Sequence, residues 1–391
     1  MKILLFAFAS SFTENLHYKE NYYFKLFQQL GHQVIVYSNN SVIINGKLVP
    51  VKESITKNLN GVIIRKKYSF FINSFISSKI RKFSKFYTFL KQNAPDIVIT
   101  FGLQSFDLIT IAKYKRKLNK NILFICESHE DFNNSARSFI SRFILHKIIY
   151  NAFIKLSNKY IDHFFYITYE TKAFISKVYN INSQKLIYSP LGGSILDDFD
   201  YQTLRIKKRS EYLLKDNDVL FFHSGKINKS KKTVELIKSF KSLPFTNMKL
   251  FIAGSIDSSI KSDLFNLIKD DLRIRFIGWL NSFDLVSTLS ATDIYVQPGS
   301  QSATLQVAAC MRCGIIAYDH SSYRHLFNQN ILYIKVNEDI DKNIRFVMAN
   351  PLNLEKLRVS TFNIANSFLN YNKQVDFIIH LYNKINTLNI N

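Results

Sequence analysis

The sequence predicts an α/β protein built from two Rossmann-like halves. Three observations carry this prediction. Short apolar runs alternate with amphipathic stretches, the pattern of parallel strands joined by crossover helices. The chain has 391 residues, too many for one ordinary core. The alternation breaks at Pro190-Leu191-Gly192-Gly193 and later restarts.

In the first half, Lys2 to Ala9 reads as a buried strand: it is too short to span a membrane, and no cleavage-site pattern follows it. Asn15 to Leu30 has helical spacing and Gly31 stops it, with a strand over Gln33 to Tyr37. Further strands are expected at Asp96 to Phe101, Ile122 to Cys126, Phe164 to Thr168 and Lys185 to Ser189, with a helix from Tyr169 to Tyr179. The polar, basic segment Asp197 to Asp218 reads as a link. In the second half, strands are expected at Val219 to His223, Lys249 to Ala253, Ile274 to Phe276, Ile294 to Gln297 and Ile315 to Tyr318. The helices between them are Lys232 to Phe240, Ile260 to Ile268, Phe283 to Leu289, and Ser302 to Cys313 with Gly314 as its cap. Leu354 to Ala365 and Gln374 to Ile385 are terminal helices. The expected domains are 1–195, a linker 196–218, and 219–391, with the terminal helices packing back on the first domain.

Hydrophobic residues make up 47% of the chain, which excludes a disordered one. The cysteines are Cys126, Cys310 and Cys313, and the Cys310/Cys313 pair lacks a second pair or zinc-spaced histidine. Buried thiols are the plain reading. The formal charge of +23 suits phosphates or anionic lipid, and no recognition motif points to nucleic acid. No acidic residue occurs between Glu53 and Asp96 or from Phe132 to Ile161. The first stretch interleaves Lys79, Arg81, Lys82 and Lys85 with Phe70, Phe71, Phe75, Phe83, Phe86, Tyr87 and Phe89, a composition suited to an anionic membrane surface. Drift in a chain rich in Lys, Asn, Ile and Phe is the alternative.

Ligands of parallel sheets bind beyond the carboxyl ends of strands. Ser224-Gly225-Lys226-Ile227-Asn228-Lys229-Ser230-Lys231-Lys232 follows one expected strand end, and its glycine and lysines suit a diphosphate. Pro298-Gly299-Ser300-Gln301-Ser302-Ala303-Thr304-Leu305-Gln306 follows another. Its hydroxyls, amides and backbone N–H groups suit phosphate or sugar oxygens, beyond the single residue that helix capping requires. In the first half, Glu127-Ser128-His129-Glu130-Asp131 puts three carboxylates and an imidazole at a strand end, which packing alone does not require. Asp198-Phe199-Asp200 spells a metal-binding DxD string but lacks a preceding strand, so no metal is expected there.

Several segments, taken in order, resemble the retaining GT-B glycosyltransferases of family 4, which build bacterial polysaccharides. They are Gly31-His32-Gln33-Val34, Asp162 through Ile167, Ile187 to Gly192, Gly225-Lys226 with Lys231, Phe251-Ile252-Ala253-Gly254, Phe276-Ile277-Gly278, and Asp293 to Pro298 through Met311 to Gly314. The sequence departs from the family in two ways. Gln301 and Ala309 stand where two glutamates are usual, and Ser10-Ser11-Phe12 stands where a glycine pair is usual.

The resemblance implies two parallel-sheet domains facing a central cleft that closes to exclude water. It also implies retaining transfer of a sugar from a nucleotide diphosphate sugar to a hydroxyl acceptor, with no cofactor or metal. Gly225, Lys226, Lys231, Gly299, Ser300, Gln301, Ser302, Ala303, Thr304 and Gln306 would hold the donor, and His129 with Glu127 would stand at the reacting centre. By analogy the acceptor is a lipid-linked glycan of lipopolysaccharide or capsule type. The protein would then be cytoplasmic and peripheral on the inner face of the cell membrane. A sugar-nucleotide epimerase and a silent scaffold share the architecture.

Overall fold

A computed structural model describes every residue except Ser10, Asn15, His17, Asn45, Gly46, Leu59, Phe70 and residues 389–391. The expected helix start at Asn15, the first serine of Ser10-Ser11-Phe12 and the ring of Phe70 therefore lie outside the described residues. The chain forms two compact units, Met1–Pro190 with Asn372–Asn391, and Leu191–Tyr371.

The first unit contains β1 (Lys2–Ala7), β2 (Gln33–Asn39), β3 (Ser41–Ile44), β4 (Lys47–Pro50), β5 (Ser54–Asn58), β6 (Gly61–Lys66), β7 (Ile97–Phe101), β8 (Leu123–Ser128), β9 (His163–Tyr166) and β10 (Leu186–Tyr188). Eight of them form one sheet in the order β10-β9-β8-β7-β1-β2-β6-β5, while β3 and β4 pair as a separate hairpin. All pairs in the large sheet are parallel except β5 with β6. Residues Ile3 to Ala7 are fully buried because helices cover both faces of a central parallel strand, which is why β1 reads as an unbroken apolar run.

The second unit contains β11 (Val219–Ile227), β12 (Met248–Ile256), β13 (Ile274–Phe276), β14 (Ile294–Gln297), β15 (Gly314–Tyr318) and β16 (Leu332–Ile334). They form one parallel sheet in the order β13-β12-β11-β14-β15-β16. Strand order changes direction between β1 and β7 in the first sheet and between β11 and β14 in the second. At such points the crossovers diverge and leave a crevice beyond the strand ends.

Several expectations differ from this structure. The span 196–218 is not a free link: it holds the helix Asp198–Glu211, and the second unit begins at Leu191. Asp197 caps that helix by accepting the Asp200 N–H at 2.8 Å, and Asp198 pairs with Arg312 at 2.6 Å. The DxD string is thus a helix start, where carboxylates complement the exposed N–H groups. Arg209 on the same helix reaches Asp293 at 3.1 Å, and Tyr201 is buried. The expected helix Ser302 to Cys313 spans only Thr304–Cys310. Arg312 turns left-handed, with φ of 62°, and Gly314 opens β15 instead of capping a helix. All three cysteines are buried, and burial pushes the Cys126 and Cys310 thiols up to about 12.

The basic, aromatic stretch is largely folded core. Phe83 and Phe86 are 1% exposed, and Phe86 stacks on Phe6 with ring centroids 4.6 Å apart. On the helix Phe86–Asn93, Phe86 and Leu90 lie one turn apart and face inward. Of the rings expected at a membrane, Phe71 and Phe75 are exposed. Phe86→Ala should cost about 3–5 kcal/mol of stability. Phe75→Ala, at a 69% exposed position, should change it by less than about 0.5 kcal/mol. Urea titration of both variants checks the difference.

Candidate active site

The second unit gathers its polar groups where β11 and β14 end. β11 runs on to Ile227, so Ser224, Gly225 and Lys226 are the end of the strand and not the loop after it. Gly225 has φ of 134°, which side-chain-bearing residues rarely adopt. A Cβ on Gly225 would stand 3.8 Å from Lys231 Cε and 4.0 Å from Ser302 Oγ, so these three residues converge. The Lys231 ammonium donates to the carbonyls of Ser300 at 3.1 Å and Gln301 at 2.7 Å. Burial pulls its pKa down to about 8.

The loop from Pro298 is pressed against the lysine turn. A Cβ on Gly299 would fall 2.0 Å from the Ser230 carbonyl oxygen, and the Ser300 N–H donates to that same oxygen at 2.9 Å. Only glycine permits this approach. The Ser302 N–H donates to Tyr323 Oη at 3.1 Å, and Ser302 Oγ accepts from the Thr304 N–H at 3.4 Å. Ser302 therefore meets the first N–H of the short helix, whose cap position is Ala303. Gln301 bonds His320 Nδ1 at 2.9 Å. Gln306, with its amide nitrogen facing inward, donates to the carbonyls of Ser302 and Ala303 at 3.1 and 3.0 Å, so it braces the loop. Ala303 and Lys226 are exposed.

His223 is a participant that sequence reading missed. It is fully buried, with Nδ1 2.8 Å from the Val296 carbonyl and Nε2 2.9 Å from Thr233 Oγ1. Burial lowers its pKa to about 4, so it stays neutral and ties β11 to β14 just beneath the loop. A single histidine inside a strand carries no signal of this role.

In the first unit, the acidic cluster resolves into separate jobs. Glu127 lies within β8 and is inaccessible. One of its oxygens meets Lys19 Nζ at 2.8 Å and the other meets His129 Nε2 at 2.7 Å. Lys19 is buried as well and donates to the carbonyl and hydroxyl of Ser189. Glu127 thus cannot reach a substrate, and its part is to hold His129, whose side chain is 40% exposed. Burial opposes the charge on Glu127, but Lys19 and His129 outweigh it and keep the carboxyl below its usual range. Burial also opposes charge on His129, but Glu127 outweighs it and raises the imidazole. Glu130 bonds Gln104 and Ser128. Asp131 only closes a turn, by accepting from the Asn133 and Asn134 N–H groups. Lys19 was invisible in the sequence because lysines are common along this chain.

Residues 205–363 match the family Glycosyl transferases group 1. The chain carries a glycosyltransferase domain and is a glycosyltransferase. Its GT-B fold is shared with sucrose-phosphate synthase from Thermosynechococcus elongatus, at TM-score 0.69 and 11% identity over 99% of both chains. WaaG, a glycosyltransferase involved in lipopolysaccharide biosynthesis, aligns at TM-score 0.61 and 16% identity, over 96% of this chain and 99% of WaaG. Anabaena HepE in complex with UDP aligns at 0.63 and 11% identity, over 97% of this glycosyltransferase and all of HepE. No curated protein matches the chain in sequence.

In this glycosyltransferase, Glu127→Gln should remove the charge that raises His129. Its imidazole should then titrate below 6.5, with burial left as the main influence. In the unaltered protein the folded pKa stands above the unfolded one. The stability this linkage supplies is complete below about pH 6.5 and fades as pH rises through the folded value. Proton NMR titration of His129 in both proteins checks the shift.

Proposed function

We propose that the protein transfers a sugar from a nucleotide diphosphate sugar to a hydroxyl acceptor, with retained configuration and without a metal. The observation that carries this reading is Lys231, a buried ammonium fixed by the Ser300 and Gln301 carbonyls beside Gly225 and Ser302. This is the charge a departing diphosphate needs. One cation about 4 Å from a phosphate charge contributes about 4 kcal/mol at an effective dielectric of 20, and a preorganised one costs no rearrangement during reaction. The loop Gly299 to Thr304, with Gln306 bracing it, would hold the remaining donor oxygens, and exposed Lys226 would screen the outer phosphate. His129, oriented by Glu127, would meet the sugar or acceptor. HepE, a fold neighbour, has been crystallised with UDP-glucose, which supports a nucleotide-sugar donor.

The proposed donor contact has a pH signature. Lys231 loses its proton as pH rises through about 8. UDP affinity, measured by calorimetry, should therefore fall between pH 8 and about 9.5. Lys231→Arg should hold its affinity level over that range, and Lys231→Ala should bind weakly throughout. UDP affinity equal in all three proteins would remove Lys231 from the donor site.

The acceptor in this reading is a surface glycan, lipid-linked and met at an anionic membrane on the cytoplasmic side. No helix among the described residues is long and apolar enough to cross a membrane. A π-helical segment, Ile140–Tyr150, runs directly into the helix Asn151–Ser157. It exposes Ile140, Phe143, Ile144 and Ile148 beside Arg142 and Lys147, and Phe139 just before it is 72% exposed. Apolar side chains among cations, with no acid nearby in the sequence, suit the boundary between headgroups and acyl chains. Replacing Phe139, Ile140 and Phe143 with Ser should reduce sedimentation with phosphatidylglycerol vesicles at least fivefold. Unchanged sedimentation would remove the membrane from this reading.

A further inference from the structure

The first unit holds a cavity of about 690 Å³ at the carboxyl ends of its strands. Ala9 follows β1, Gln104 follows β7 and Glu130 follows β8, so the cavity sits at the point where strand order changes direction. Lys79, Arg81 and Arg137 line it too. None of these three forms an ion pair among the described residues. Arg81 gives Nε to the Ser78 carbonyl and Nη1 to Gln104, which leaves Nη2 uncommitted. Lys79 meets only the ring of Phe75, at 5.2 Å, and Arg137 has no bonded partner among the described residues.

Glu130 is the one acid in this wall, against three cations. Burial raises its pKa against the pull of Arg81, and Ser128 and Gln104 occupy its oxygens. His146, also in the wall, is kept neutral by burial, with its pKa near 4, and it bonds Tyr179 at 2.7 Å. Three cations around one space repel one another and focus a positive field into it. Ser138 and Ser141, at the start of the π-helical segment, add hydroxyls to the same wall. Arginine forks and hydroxyls around a small polar space match the tetrahedral oxygens of a phosphate ester.

We propose that this cavity binds a phosphate group on the acceptor, so that the sugar is passed to a phosphorylated sugar or to a glycan joined to lipid through phosphate. This rests on the acceptor reading above and gives it a chemical class. The apolar side of the same π-helical segment would accommodate the lipid in the second case.

Calorimetry with glucose, glucose 6-phosphate and dihexanoyl phosphatidic acid tests the proposal. Three proteins are compared: the unaltered chain, the Lys79→Ser/Arg137→Ser double variant, and Lys231→Ala. The first two substitutions remove side chains without hydrogen-bond partners, and thermal melting checks that both variants fold. The unaltered chain and Lys231→Ala should each bind a phosphorylated probe at least tenfold more tightly than glucose. The double variant should lose that preference and keep its affinity for UDP. Preference for glucose 6-phosphate indicates a soluble phosphosugar, and preference for phosphatidic acid a lipid-linked acceptor. The proposal fails if the unaltered chain shows no preference, if the double variant retains it, or if Lys231→Ala alone abolishes it. That last result would place the anion with the donor lysine. The donor reading is judged separately, by UDP binding to Lys231→Ala.

Discussion

Everything with chemistry in this protein depends on where its parallel sheets change direction. Parallel strands need crossovers, and successive crossovers in one direction cover the strand ends. Between β11 and β14, and between β1 and β7, the direction changes and the covering is interrupted. Buried strands such as β1 and β14 supply rigid walls, and the polar residues follow directly after them. Lys231, Gly299 and Ser302 stand at one such gap, and Gln104 and Glu130 at the other. Glycine is used where backbone must touch backbone: Gly299 lets the loop from Pro298 settle on the carbonyl of Ser230, which places the oxygens that hold Lys231.

Two buried lysines show the same physics used in opposite ways. Lys19 is fully enclosed and paired with Glu127, so removing either partner would strand a charge at a cost of several kcal/mol. Its ammonium is committed to structure, and the benefit appears two residues beyond Glu127, in the orientation of His129. Lys231 is enclosed without a carboxylate, and only carbonyl oxygens compensate it. Burial therefore shifts it towards neutrality, and in the proposed reading the donor diphosphate would favour the charged form. In that reading its charge is left for a phosphate, whereas a salt-bridged lysine has already spent it on a carboxylate.

Much of this was legible in sequence for physical reasons. Buried parallel strands leave unbroken apolar runs, and strand-end glycines mark close approach, so the two sheets and the segment from Pro298 could be read directly. The missed features lack a local signature. The segment between Glu53 and Asp96 looked like a basic surface because it holds lysines and arginines and no acid. Phe86 nonetheless turns inward, since a helix can show cations on one face and rings on the other, and Phe83 is buried just before that helix. Asp197 to Asp218 looked like a link because the helix within it buries little beyond Tyr201 and is held by Arg209 on Asp293, a distant partner. Lys19 and His223 matter only through residues far along the chain. Glu127 was legible as unusual, but its role was not: a strand position says that a carboxylate is buried, not that a lysine from another helix meets it.

The absent glutamates bear on how the proposed donor site works. Ala309 is fully buried in the helix Thr304–Cys310, and nothing polar replaces the usual carboxylate there. Gln301 is neutral and bonds His320. Neither position brings negative charge near Lys231, so the site is more positive than the related pattern would make it. In the proposed reading, attraction to the diphosphate then depends chiefly on lysine charge, which a salt-dependent affinity would reflect. Choice among sugars falls to neutral hydrogen-bonding groups such as Gln301, Ser302 and Thr304. Such groups discriminate when a mismatched sugar leaves one of them unpaired, a penalty of about 1–3 kcal/mol for each buried group. The diphosphate would therefore be held by charge, and the sugar chosen by the geometry of a loop that Gly299 allows to exist.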